Sequence, residues 1–411
     1  MRALVLCGGI PQIALINELK RRGIITILAD MNENVSGRQF ADYFFPISVL
    51  DVNAVRKLAI KEKVDFVITV CADQVLEVMA QVSEELGLPC YIDYETAQKV
   101  SSKQQMKRIF IENGIPTSNY VVMKNFDETR IKDLKYPLIV KPIDSYSSRG
   151  VKKILNEKEL ESAFKTAIDI SRTKTVIIEE FVEGEELTVD AYIEEGKAHI
   201  LCISNIDKIP GNERFVICRT RYPAQITDAV KDKVEAIVNQ IAKAFKLKNS
   251  PMLVQMITDG EKISVVEFCA RTGGGDKFRL IKQVSHFDVI KAAVDLTLGE
   301  KPHVDMCELH DYIVNEFLYT VPCIFDHLEG FEEMKKQGVI NEYFQLKSRG
   351  TECNEIKSSG DRVAFYTIQA STIAELKNKE KIANKYLKVI DVEGKDTLRH
   401  DLIDTGKRGN R

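Results

Sequence analysis

Short apolar runs alternate with amphipathic stretches over the first 95 residues. RALVLCGG is a continuous apolar run that ends in glycines, which predicts a buried strand followed by a turn. PQIALINELKRRG has apolar positions at helical spacing, and predicts a helix that starts at its proline and stops at Gly23. IITILAD predicts a second strand with Asp30 at its end. The series continues with a helix over VNAVRKLAIKEK, a strand over VDFVITV and a helix from Asp73 to Leu86. Strand and helix alternating in this way argue for an α/β region built on a parallel sheet.

The pattern changes after residue 95. TAQKVSSKQQMKRIFIENG predicts one helix, with Ser101 or Ser102 suited to a cap and Gly114 to a stop. PLIVKPI, TVIIEEFV and ELTVDAYIE are rich in β-branched residues and predict strands. ITDAVKDKVEAIVNQIAKAFKL predicts a long amphipathic helix, and PMLVQMITDGEKISVVEFCA a hairpin turning at Asp259-Gly260. From about residue 301, strands such as DYIVNEFLY and RVAFYTIQAS mix with short helices in an α+β manner. Residues 401–411, closing on GKRGNR, read as a disordered tail. The N-terminal region is a Rossmann-like wound sheet, but Gly8-Gly9 lacks the full G-x-G-x-x-G, and a tight turn is the better reading of it.

A chain of 411 residues exceeds what one hydrophobic core supports, so two to three domains are expected. Its 58 basic and 61 acidic side chains nearly cancel, which gives no reason to invoke nucleic acid or an anionic membrane. No apolar run reaches the roughly 18 residues of a membrane helix. Nine scattered cysteines without a C-x-x-C pair fit reduced thiols, and with them a cytoplasmic protein.

Four separated segments carry the candidate chemistry. In PLIVKPIDSYSSRGV a strand delivers Lys141 and a small-residue loop runs to Gly150; the lysine offers a point charge, and the loop backbone N–H groups, to phosphate oxygens. A strand followed by a surface turn fits the same residues. In VIIEEFVEGEELTVDAY, Glu179, Glu180, Phe181 and Val182 form an extended run able to meet an adenine edge, and Glu186 is placed to accept ribose hydroxyls. A solvated acidic hairpin is the alternative. VVEFCARTGGG ends a buried strand in Glu267, followed by Arg271 and Gly273-Gly274-Gly275. A carboxylate placed there needs a cation, either magnesium or, in a structural reading, Arg271 itself. Lys103 lies on the helix before this region, where a lysine is ordinarily a solvated group. Arg219 and Arg221, in FVICRTRYPAQI, serve equally as ligands for a substrate carboxylate or phosphate and as exposed strand residues.

In this order and spacing, the segments resemble the ATP-grasp superfamily over residues 1 to 300, in the branch of L-amino-acid ligases and carbamoyl-phosphate-synthetase-like proteins. The resemblance implies a pre-ATP-grasp domain over 1–95, a two-lobed ATP-grasp domain over 96–300 with a small lid lobe near 115–183, and a C-terminal α+β domain over 301–400. It implies ATP and magnesium, or manganese in its place. Lys103 and Lys141 then hold phosphates. Ser147, Ser148, Arg149 and Gly150 form the closing loop, Glu179 to Val182 the adenine hinge and Glu186 the ribose acid. Glu267 becomes a metal ligand and Arg271 the arginine near the reacting phosphate. The chain departs from the family pattern at Ser147, where glycine is usual, at Gln255, where an acid is usual, and at Cys269, where asparagine is usual. Gln255 still offers a carbonyl oxygen to the metal. Gly273 and Gly274 join Arg219 and Arg221 as candidates to line the substrate. The expected reaction joins a small-molecule carboxylate to an amine through an acyl phosphate, with amino acids as the first substrate class. A purine-pathway ligase acting on a phosphorylated ribosylamine and a nucleotide-binding regulator without turnover are the alternatives. By analogy, a homodimer would form through the N-terminal sheet.

Overall fold

The computed structural model describes residues 1–145, 149–211, 215–306 and 309–403. The chain forms two compact units, each assembled from three stretches. One takes Met1–Thr117, Thr188–Ile203 and Ile226–Leu309; the other takes Ser118–Leu187, Ser204–Gln225 and the chain from His310 onward. Two changeovers fall inside the strands Glu185–Glu194 and Lys197–Lys208.

The expected α/β fold is present. In the first unit the strands Arg2–Leu6, Ile25–Ala29, Tyr43–Phe45 and Phe66–Ile68 form a parallel sheet in the order Tyr43–Phe45, Ile25–Ala29, Arg2–Leu6, Phe66–Ile68. Their near-continuous apolar runs are buried, as a parallel sheet covered by helices requires. The first helix spans Ile10–Arg21 and is stopped by Gly23 at φ +72°; another spans Asp73–Leu86. The Gly8-Gly9 pair makes a tight turn closed by the end of the second strand: Gly8 N–H donates to Asp30 Oδ2 at 2.9 Å, and Gly37 N–H to Gly8 O at 2.7 Å. A Cβ on Gly37 would sit 2.8 Å from Gly8 O, so only glycine permits that approach.

The single helix expected over residues 96–114 is two helices, Tyr94–Ser101 and Lys103–Glu112. Ser102 is extended between them, with its hydroxyl accepting from Gln105 N–H at 3.4 Å. Local side-chain capping competes here with helix propagation and restarts the helix at Lys103. The hairpin Ser250–Thr258 and Ile263–Cys269 turns at Asp259-Gly260 and pairs Gln255 with Glu267.

In the second unit a small antiparallel sheet has the order Tyr120–Met123, Val176–Glu180, Leu138–Pro142, Lys152–Ile154. Its period-two alternation gives one face to the helix Leu160–Ile170: Leu138, Val140, Ile154, Val176 and Ile178 pack there with Ala163, Phe164 and Ala167. Lys141, Lys153 and Glu179 occupy the alternate positions, on the opposite face. The strand Ile217–Tyr222 pairs with Tyr312–Leu318 of the C-terminal stretch, followed by Ala364–Ala370 and Glu342–Gln345, and that stretch has its own core around Phe325, Phe331 and Tyr366. Of the tail expected over 401–411, Leu402 and Ile403 are buried, and 404–411 lie outside the described residues.

Arg219 corrects one expectation. It is 2% exposed, and its Nε donates to Glu316 Oε2 at 2.5 Å, with Glu380 Oε1 3.9 Å from Nη1. It is a buried structural cation, not a substrate ligand. Removing it leaves two carboxylates in a low-dielectric core. Arg219→Ala should therefore lower the free energy of unfolding by about 3–5 kcal/mol, read from the urea midpoint.

Candidate active site

In the second unit the site is built on the face of the small sheet opposite the helix Leu160–Ile170. Lys141 Nζ lies 2.5 Å from Glu179 Oε1, and Ser118 Oγ donates to Glu179 Oε2 at 2.8 Å. Both side chains are largely buried, so each is the other's main compensation for lost water. Glu180 has the opposite parity and a different task. Its carboxylate accepts from Asn119 Nδ2 at 3.0 Å and Lys135 N–H at 2.9 Å, which pins the strand end. Phe181 N–H donates to Pro137 O at 2.9 Å, and the Phe181 ring lies 3.6 Å beneath Lys153 Nζ. Val182 follows outside the strand. Glu186 is ion-paired with Lys208, whose ammonium also sits over the Phe215 ring.

After the loop, Gly150 holds φ +76°, and a Cβ there would lie 2.9 Å from both Ile170 and Pro142. Arg149 next to it is exposed. Ser147 and Ser148 lie outside the described residues. Arg221 is paired with Asp207 at 2.8 Å, a half-buried pair on the same strand as Arg219.

The first unit carries a second set. Lys103, at the first helical position after Ser102, places Nζ 3.4 Å from Glu267 Oε2. Arg271 does not pair with Glu267 as the structural reading of the sequence allowed. Its Nε donates to Asp73 Oδ1 at 2.7 Å, a second nitrogen meets Asp73 Oδ2, and Nη1 donates to Thr272 O at 2.6 Å. Burial opposes the Asp73 charge, yet the Arg271 guanidinium holds its carboxyl below the usual range. Gly273 has a reason to be glycine: a Cβ there would sit 2.8 Å from Asp190 Oδ1. Gly274 has ordinary space near Cys71 O.

Asp190 is a residue that sequence reasoning missed. It is 1% exposed, and burial raises its pKa. Lys277 Nζ stands 3.6 Å from it and donates to Thr188 Oγ1 at 2.7 Å. The available signal was an acid at an inward position of the otherwise apolar LTVDAYI. Asp73, Lys153, Lys208 and Lys277 were also missed. Each becomes visible only through its partner.

A divalent cation can be tested against the donors present. Glu267 and Gln255 are cross-strand partners, which offers one carboxylate and one amide oxygen from adjacent positions. Cys269 is no ligand: burial first, then the Asp73 charge, pushes its thiol well above the ordinary value, so it stays protonated. Among the described residues no group of three or more His, Cys, Asp and Glu side chains could hold a metal. The set fits magnesium, which keeps several waters and takes one or two protein ligands alongside phosphates. It would not fit a metal that needs an all-protein cage.

Residues 134–278 match the family model described as the ATP-grasp domain. The chain carries an ATP-grasp domain. Solved structures agree on the fold: L-amino acid ligase from Bacillus licheniformis aligns over 95% of this chain and 98% of its own, with a TM-score of 0.81 at 19% identity. Phosphoribosylglycinamide synthetase from Anaerococcus prevotii aligns over 95% and 99%, with a TM-score of 0.76 at 21% identity. By sequence, the formate-dependent phosphoribosylglycinamide formyltransferase of Sulfurisphaera tokodaii is 30% identical over 201 residues, 46% of this chain. The match spans about half of that relative, 49% of its length. No described helix is long and apolar enough to cross a membrane.

The Asp73–Arg271 pair sets a pH dependence. A carboxyl whose folded pKa is depressed adds stability that is present above its unfolded value and is lost as pH falls through the folded one. The Asp73→Asn variant should be less stable than the parent at pH 7, and the difference should shrink below about pH 4 in urea midpoints measured across the acid range. A difference that stays constant with pH would contradict the pair's electrostatic role.

Proposed function

We propose that this chain is an ATP-dependent ligase of the purine-pathway type, which activates a small carboxylate as an acyl phosphate and joins it to the amine of a phosphorylated ribosylamine. The observation that carries the ATP part is the Lys141–Glu179 pair on the sheet face opposite the helix Leu160–Ile170: an ammonium already desolvated and oriented, ready to exchange a carboxylate for phosphate oxygens. The resemblance to phosphoribosylglycinamide formyltransferases supports the substrate class, with formate as the carboxylate their name supplies. The relatives thus favour this alternative over the amino acids first expected from the sequence.

In this mechanism a carboxylate oxygen attacks the terminal phosphorus of ATP, the bond to the bridging oxygen breaks, and ADP leaves. The amine nitrogen then attacks the acyl carbon, phosphate departs with the bonding pair, and the nitrogen releases its proton. Lys141 and Lys103 neutralise the phosphate oxygens, so that approach of a second anion is not opposed. Glu179 and Glu267 keep the two ammonium groups aimed before the nucleotide arrives. Phe181 and Val182 present the adenine-facing backbone, with Lys153 above the Phe181 ring, and Glu186 accepts ribose hydroxyls once Lys208 yields. Arg271, held bidentately by Asp73, is assigned to the charge that develops on the transferred phosphoryl group. Magnesium, held by Glu267 and Gln255, would supply charge neutralisation across the phosphates when bound.

Phosphate release tests the proposal. With magnesium and ATP, release should require both formate and glycinamide ribonucleotide, and a panel of twenty amino acids should give none. Release driven by amino acids would overturn the substrate class; ATP binding without release in any mixture would overturn turnover. Glu267→Gln should lower the magnesium-dependent rate by about a hundredfold or more, in line with the loss of a metal-supporting group. An unchanged rate would remove Glu267 from the metal site.

A further inference from the structure

A cavity of about 1070 Å³ lies within the second unit, on the side of the small sheet away from Lys141. Strand parity separates the two. Lys152 pairs with Val140 and Lys153 with Ile139, so Lys152 shares the face of Val140 and Ile154, which the helix Leu160–Ile170 covers. Ala163, Thr166 and Ile170 of that helix line the cavity, together with Lys152. Lys141, Lys153 and Glu179 lie on the other face.

Apolar groups line part of the cavity, Ile209 and Val321 among them. Its charged groups are unevenly matched. Asp361 is occupied by its own turn, accepting from Lys357 N–H at 2.8 Å and Ser358 N–H at 2.7 Å. Arg399 is bound twice by Asp401, at 2.7 and 2.6 Å. Arg149, Lys152 and Lys357 have no ion-pair partner among the described residues, and Glu355 and Asp361 are the carboxylates beside them in the lining. One positive charge is thus in excess around an apolar surface. Elsewhere in this unit, cations such as Lys141, Lys208, Arg219 and Arg221 are each matched to a carboxylate.

The position of Arg149 is constrained as well. Gly150 passes close to Ile170 and Pro142, where no side chain fits, and this brings the neighbouring Arg149 to the cavity wall.

We propose that this cavity is a second anion site, distinct from the nucleotide-binding face, which takes an organic phosphate monoester: an anionic head for the three cations without an ion-pair partner and an apolar body for the lining. A phosphate meeting three cations gains charge-assisted contacts that a neutral molecule does not. Because Arg149 borders the loop assigned to ATP phosphates, occupancy would draw that side chain toward the cavity.

Phenyl phosphate is a suitable probe, since it carries both features and resembles no proposed substrate. Calorimetric titration of the full chain at pH 8 should show saturable binding, retained with magnesium and ATP at saturation. Lys357→Ala and Lys152→Ala should each weaken it by about tenfold or more, while Lys153→Ala, on the opposite face, should leave it unchanged. Loss of phenyl phosphate binding when ATP is added, equal loss in Lys153→Ala, binding of succinate in preference, or no binding by the parent protein would each overturn the assignment. Failure of ATP to bind would instead bear on the ligase proposal and leave the comparison of variants readable.

Discussion

A lysine ammonium on the face of a sheet, nearly stripped of water, has to be matched by a negative charge. That constraint shapes the face of the small sheet that carries Lys141. Lys141 and Glu179 are both largely buried and 2.5 Å apart, on adjacent antiparallel strands. Either residue alone would be costly there, since breaking a buried pair costs several kcal/mol. Together they hold a cation whose partner is exchangeable: a phosphate offers the same charge and more oxygens. The Lys103–Glu267 pair repeats the arrangement in the other unit, looser at 3.4 Å and with Glu267 more exposed. In the proposed mechanism the carboxylates keep the two cations oriented until phosphates arrive. The looser pair is also the one whose acid is proposed to hold the metal.

The glycine loop after the strand Ile263–Cys269 rests on a different kind of order. Asp190 presses against Gly273 from below, Lys277 is tied to Thr188, and Asp73 grips Arg271 with two contacts. Three side chains from separate parts of the chain thus set the course of a segment that has little side-chain bulk of its own. Cys71 and Cys7, at the ends of neighbouring parallel strands, hold left-handed backbone conformations at φ 57° and 69°, although neither is glycine. Such strain persists only where the surrounding packing fixes it, and here it falls at the strand ends, where open α/β sheets place their ligands. Burial pushes both thiols up to about 12, so they are inert at neutral pH.

Periodicity made the fold legible. The helices Ile10–Arg21 and Asp73–Leu86, the strands of the parallel sheet and the Asp259-Gly260 hairpin follow from local pattern and turn chemistry. The break at Ser102 did not, because a serine inside a helical pattern is neutral until its hydroxyl finds a backbone N–H. At the site, the residue types that chemistry demands were visible, whereas their partners were not. Asp73 is 198 positions from Arg271, and Glu316 is 97 from Arg219. Two arginines on one strand look alike in sequence. Only the distant acids make Arg219 a core residue and leave Arg221 in a half-buried pair. Non-local pairing decides which charged residues remain available for a substrate, and a single sequence carries almost no trace of it.

The account stands on the claim that Lys141 gives up a carboxylate to take a phosphate. Calorimetric dissociation constants for magnesium-ATP, measured on the parent chain and on Lys141→Ala, address it most directly. The account predicts that the variant remains folded and binds at least about tenfold more weakly, the scale of one charge-assisted contact. A folded Lys141→Ala protein that binds magnesium-ATP as tightly as the parent would contradict it.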